Sequence, residues 1–87
     1  MTREGRPYPC PCCGYLTMPE RGVFTICRVC FWEDDGQDDA DADVVRGGAN
    51  GRLSLTMARR NFEAIGACDD DCVGAVRPPL PHEIPPR

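Results

Sequence analysis

The apolar positions change period along the chain. Between residues 15 and 26 they form two short β-branched and aromatic runs, Tyr15-Leu16-Thr17-Met18 and Val23-Phe24-Thr25-Ile26, separated by Pro19-Glu20-Arg21-Gly22. Two such runs around a four-residue Pro/Gly turn predict a β-hairpin. From Leu55 onward the period is helical: Leu55, Ala58, Phe62 and Ile65 share one face. Ser54 has N-cap chemistry and Gly66 is a C-terminal stop, which predicts one amphipathic helix over 55–65. Residues 33–43 show no apolar period and predict an exposed acidic loop. Gly47-Gly48-Ala49-Asn50-Gly51 predicts a flexible turn. Prolines at 78, 79, 81, 85 and 86 predict an extended tail over 77–87, and Pro7 leads a flexible arm over 1–8.

These elements amount to one domain, 1–87, and a small one. A chain of 87 residues buries only about 60–65 % of the surface that it exposes when unfolded. Its large apolar side chains are few, with three Phe, one Trp and three Met, and nine Gly and nine Pro pack little. Trp32, beside Phe31, is the natural core residue against the hairpin. Such chains need a staple, either disulfides or a metal. Seven cysteines supply one.

Their number and spacing favour metal. An odd count leaves a thiol over in any intramolecular disulfide scheme, and no apolar stretch near Met1 reads as an export signal. Cys10-x-x-Cys13 and Cys27-x-x-Cys30 are two pairs separated by thirteen residues. Structural zinc takes four N or S ligands tetrahedrally, and each such turn puts two sulfurs on one side of the tetrahedron. The ligand set is Cys10, Cys13, Cys27 and Cys30. Pairing Cys13 rather than Cys12 with Cys10 reproduces the two-residue spacer of the second pair. Zn²⁺ is the expected ion, with iron the other metal that four thiolates accept. The fold class that follows is a small metal-stabilised α+β: a zinc-ribbon-like β-hairpin with two cysteine knuckles plus one helix.

The remaining thiols and acids carry weaker signals. Cys12 is either an incidental small side chain or a thiol polarised by the metal. Cys68 and Cys72 flank Asp69-Asp70-Asp71; His82, the only histidine, does not complete a second metal set. The acidic run does not fit an EF-hand, since the sixth position counted from Asp34 is Asp39 and not glycine.

Charge narrows the function. Residues 33–43 carry −7 and the remainder +3, for −4 overall, and all ten basic residues are Arg. Nucleic-acid binding needs a basic face, and the dominant cluster here has the opposite sign. No run approaches the roughly 20 apolar residues of a membrane span. A cytoplasmic location is expected.

The segments Cys10-Pro11-Cys12-Cys13-Gly14-Tyr15-Leu16-Thr17 and Cys27-Arg28-Val29-Cys30-Phe31-Trp32-Glu33-Asp34-Asp35 resemble the cysteine-rich CPCC domain family. So do Gly47-Gly48-Ala49-Asn50-Gly51, Ser54-Leu55, Ala58-Arg59, Asn61-Phe62, Gly66-Ala67 and Val76-Arg77-Pro78-Pro79, and the likeness covers roughly residues 8–82. The resemblance implies a small bacterial zinc protein with Cys10, Cys13, Cys27 and Cys30 as ligands. It implies no activity, and it leaves Cys72 outside every matched motif.

Four thiolates close a zinc site and make it a poor Lewis acid, so no enzyme is expected. The expectation is a non-catalytic protein-interaction module whose acidic segment docks a basic protein, an immunity-type inhibitor of a basic toxin being one concrete form. The alternative is a thiol switch that uses Cys12 or the pair Cys68 and Cys72.

Overall fold

Two short antiparallel strands, β1 (Tyr8–Pro9) and β2 (Leu16–Met18), begin the structure, a computed structural model that describes residues 7–86. Tyr8 lies opposite Met18 and Pro9 opposite Leu16, so Thr17 is an extra residue bulged out of the ladder. The strands flank the first cysteine pair. The second pair has its own reversal: Phe24 N–H donates to Asp34 O, Asp34 N–H to Thr25 O and Cys27 N–H to Trp32 O, at 2.9–3.0 Å. Ile26 bridges Glu33 antiparallel.

The hairpin expected between 15–18 and 23–26 therefore does not form. Each run pairs instead across its own cysteine turn. A Cys-x-x-Cys segment is already a tight reversal, and residues 19–22 are held elsewhere. Arg21 donates from Nε to Asp34 Oδ2 at 2.7 Å, and Gly22 N–H donates to the same oxygen at 2.9 Å. The would-be turn is thus pinned to the second reversal by a carboxylate.

Helix α1 (Leu55–Ile65) has the predicted bounds for the predicted reasons. Ser54 Oγ accepts from Met57 N–H at 3.1 Å, and Gly66 turns left-handed at φ 78°. Its apolar face is only partly covered. Leu55 and Ala58 are fully buried against a core that includes Met18, Val29 and Trp32, and Phe62 meets Tyr15 edge-on with ring centroids 6.4 Å apart. Ile65, expected on the core, is exposed. Beyond the second turn the helix projects past the core, and the chain then folds back to bury Ala67 and Cys68.

The acidic segment is better ordered than its composition suggests. Asp34, Gln37 and Ala42 are buried, and residues Asp39–Asp41 form one 3₁₀ turn. Gln37 Nε2 donates to the carbonyls of Asp41 and Val44 at 2.9 and 2.7 Å. Three arginines reach in from outside: Arg21 to Asp34 and Asp38, Arg46 to Asp41, and Arg59 to Asp39. Burial opposes ionisation of Asp34, yet Arg21 with the Gly22 and Gly36 N–H groups outweighs it and keeps the carboxyl below its ordinary range.

The turn at 47–51 is specific rather than loose. Gly47, Gly48 and Gly51 all take positive φ, which leads the chain through a short 3₁₀ turn to Asn50. Asn50 then acts like a neighbouring strand: its Oδ1 accepts from Glu33 N–H at 3.1 Å and its Nδ2 donates to Glu33 O at 2.7 Å.

Most of the proline-rich end follows an extended course, broken by a 3₁₀ turn at Pro81–Glu83 that rests against β2. Arg77 N–H donates to Arg28 O at 3.2 Å, and the Arg77 guanidinium takes both oxygens of the buried Glu83 carboxylate at 2.7 and 2.9 Å. That fork pulls the Glu83 carboxyl down to about 2. Of the arm expected over 1–8, residues 1–6 lie outside the described residues, and Tyr8 belongs to β1. No helix among the described residues is long and apolar enough to cross a membrane.

Replacing Asn50 leaves the Glu33 amide and carbonyl without their side-chain partner beside the second cysteine reversal. Asn50→Ala is expected to destabilise the metal-loaded protein by about 1–3 kcal/mol, read as a lower denaturant midpoint at unchanged m-value. An unshifted midpoint would show that water replaces the amide at no cost.

Candidate metal centre

The two cysteine turns share one backbone pattern. Gly14 N–H donates to Cys10 O and Phe31 N–H to Cys27 O, both at 2.8 Å. Cys10 N–H donates to Tyr15 O at 2.8 Å and Cys27 N–H to Trp32 O at 2.9 Å. The residue after the second cysteine is left-handed in each, Gly14 at φ 83° and Phe31 at φ 72°. Glycine takes that conformation freely; a phenylalanine there is strained by roughly 1–2 kcal/mol. The second turn holds it because Trp32, the next residue, is wholly buried in the core.

The turns face one another so that four sulfurs converge. The Sγ atoms of Cys10, Cys13, Cys27 and Cys30 all lie within 4.8 Å of each other, and Cys10, Cys27 and Cys30 are buried while Cys13 is half-buried. Cys10 and Cys30 sulfurs are 3.6 Å apart, and those of Cys13 and Cys27 3.7 Å. A tetrahedron with arms of about 2.3 Å, the usual zinc–thiolate distance, has edges of about 3.8 Å. The residues present therefore fit a tetrahedral ion of that size. The four sulfurs named by spacing are the four brought together. Among the described residues no other set of three or more Cys, His, Asp or Glu gathers in this way.

Electrostatics within the cluster point the same way. Hydrogen bonding from Cys10, with Cys13 and Cys30, pulls the Cys27 thiol far below its ordinary range. The contact with Cys10 also pushes Cys13 and Cys30 far above theirs. Without a cation, one thiolate is favoured by its neighbours' S–H groups while those neighbours keep their protons. A divalent cation at the centre would favour all four as thiolates and release the remaining protons.

Two supporting residues could not have been picked from spacing. The bulge in β2 sets the Thr17 hydroxyl 3.1 Å from Cys27 Sγ, within hydrogen-bond distance of one of the four converging sulfurs. Arg59 on α1 donates from Nε to Pro11 O at 2.9 Å, and its Nη2 reaches Asp39 at 2.7 Å, so the helix grips the first turn and the acidic loop together. The only sequence signal for Thr17 is a hydroxyl in the run after Cys13. For Arg59, 48 residues from Pro11, there is none.

The other thiols lie outside the tetrahedron. Cys12 turns into the core at 8 % exposure, close enough to Cys30 to act on its titration. Cys68 is buried, and its sulfur is 4.0 Å from that of the half-buried Cys72. His82 is exposed, at the 3₁₀ turn Pro81–Glu83.

No curated protein matches the chain at a significant level. The sequence model of one family, described as Cysteine-rich CPCC, matches residues 8–83, from β1 through the 3₁₀ turn that Arg77 holds. That span contains both cysteine turns, the Asn50 turn and helix α1, and the chain belongs to the cysteine-rich CPCC family.

Proposed function

We propose that Cys10, Cys13, Cys27 and Cys30 hold one structural Zn²⁺ and that the protein is a non-catalytic binding module. The convergence of four sulfurs within 4.8 Å of one another, two of the separations being 3.6 and 3.7 Å, carries this reading. Zinc fits better than iron by chemistry alone: it needs no redox partner and tolerates any tetrahedral thiolate set. Four protein thiolates fill every position, so substrate has no place to bind the ion and activation of water is denied. What the ion supplies is the joining of two reversals that backbone bonds alone do not connect.

The partner in this reading is a protein with a basic face. Four of the seven acids in residues 33–43 pair with Arg21, Arg46 and Arg59, while Glu33, Asp35 and Asp43 make none of the ion pairs found among the described residues. Three arginines against seven carboxylates leave the segment net acidic, and its backbone is fixed beside the metal turn. Rigidity lowers the entropy lost on docking, and the charge steers encounter with a cationic surface.

Three measurements test the two halves of this proposal. Cys13→Ser is expected to lose zinc stoichiometry and folding together, because binding and folding are coupled in small zinc domains, whereas Cys12→Ser keeps both. Equal loss in the two variants would overturn the ligand assignment. Acid gives an independent readout. Glu83 contributes its full stability above its unfolded value near 4.5 and loses it progressively as pH falls from there through about 2. Zinc release coincident with unfolding is therefore expected above pH 4.5, from protonation of thiolates and not from the Arg77–Glu83 pair. Unfolding that begins only below pH 4 would contradict it. For the partner, capture on immobilised protein should fall steeply as salt rises from about 50 to 300 mM, and fall likewise in the Glu33→Gln/Asp35→Asn/Asp43→Asn variant. Capture indifferent to both rules out acidic docking.

A further inference from the structure

Three thiols outside the tetrahedron remain without a role. Seven cysteines less four ligands leave Cys12, Cys68 and Cys72, and all three lie in or against one buried cluster. Cys68 and Cys72 are the close pair, with sulfurs 4.0 Å apart and three residues between them. One of them is fixed. Cys68 N–H donates to Cys30 O at 2.8 Å and Asn61 Nδ2 donates to Cys68 O at 2.8 Å, which clamps Cys68 between the second cysteine turn and the end of α1. The other lies on the 3₁₀ turn Asp70–Ala75, half-buried, where a small reagent can reach it.

This segment is a strap with both ends on the metal turn. It leaves from Cys68 at Cys30 and returns where Arg77 N–H meets Arg28 O at 3.2 Å. A bond between the two sulfurs closes a small ring without moving either anchor, because only the Cys72 side needs to shift. Cys12 is the third buried thiol near Cys68, but it belongs to the first turn, between ligands 10 and 13, so drawing it out would disturb the metal.

We infer that Cys68 and Cys72 form a reversible dithiol–disulfide couple, a modification site separate from the four metal-binding sulfurs. The oxidant class that fits is a small neutral hydroperoxide, because Asp69-Asp70-Asp71 between the two cysteines repels anionic reagents such as glutathione disulfide. The Cys72 sulfur attacks the O–O bond, takes one oxygen as sulfenic acid and releases one water. The Cys68 sulfur then displaces that oxygen as a second water and forms the S–S bond. Two thiols lose two electrons and two protons, and one hydrogen peroxide becomes two waters. A dithiol reductant reverses the step. The ring ties Cys72 to the anchored Cys68 within the strap and makes no demand on the four converging sulfurs, so the oxidised form is expected to keep its metal.

The test uses the full metal-loaded chain and dilute hydrogen peroxide. Thiols of the native protein are counted, bound zinc is followed with a chelating dye, and the peptide 61–87, which carries Cys68 and Cys72 and no other cysteine, is weighed. Expected are a fall from three non-ligand thiols to one, zinc unchanged, a mass loss of two hydrogens in that peptide, and full recovery with dithiothreitol. Cys72→Ser should abolish the two-hydrogen loss, and Cys12→Ser should leave it intact; the zinc content of each variant is measured alongside and expected to match the native chain, so that a fold defect cannot imitate either result. Zinc release before any change in that peptide, or a Cys12-containing disulfide in its place, overturns the inference. The outcome is independent of whether the acidic loop has a partner.

Discussion

Four cysteine sulfurs held within 4.8 Å of one another would repel as thiolates unless a cation sat among them, and both chain reversals bring their cysteines to that one point. The chain reverses at each cysteine pair with the same hydrogen bonds, yet the two reversals share no ladder. Among the described residues they meet at the sulfurs, through Arg21 on Asp34, and through side chains in a core of a few large residues. A domain this small cannot hold two separate reversals face to face by apolar burial alone. The sulfur cluster is where a bound ion would supply the missing connection.

Polar side chains do the remaining joining. Asn50 substitutes for a strand beside Glu33, Arg59 ties α1 to Pro11, Arg77 clasps Glu83, and Asp34 gathers the Arg21 guanidinium with two backbone amides. The Asn50 and Arg59 contacts, and those of Asp34 with Arg21 and Gly22, link regions twelve or more residues apart in sequence. They replace the ladders that longer strands would supply, since the single regular sheet among the described residues is a two-stranded one of five residues. The acidic segment takes part in this network and is not merely a solvated run. Its arginine partners fix its backbone, which would let it present charge at a defined place beside the metal turn.

Helix α1, its two caps, the burial of Trp32 and the set of four converging cysteines were all legible from local chemistry. A Ser ahead of a helical period, a Gly after it and two Cys-x-x-Cys pairs each act within a few residues, so spacing alone reveals them. The fate of the β-branched runs was not legible in that way. Both 15–18 and 23–26 are competent strands, and choosing a partner for each depends on what else occupies the turn between them. Arg21 and Gly22 are claimed by Asp34, which lies twelve or more residues away.

By itself the sequence determined the α+β content, the helix with its bounds, and the four cysteines that spacing groups together, because those features rest on contacts between near neighbours. Tertiary structure alone decided that each run pairs across its own cysteine turn, that Thr17 is bulged onto Cys27, and that Ile65 stays outside the core. It also decided that Cys68 and Cys72 stand sulfur to sulfur against the metal turn. These are outcomes of competition between distant groups for the same few donors and the same small core, and no local period records them.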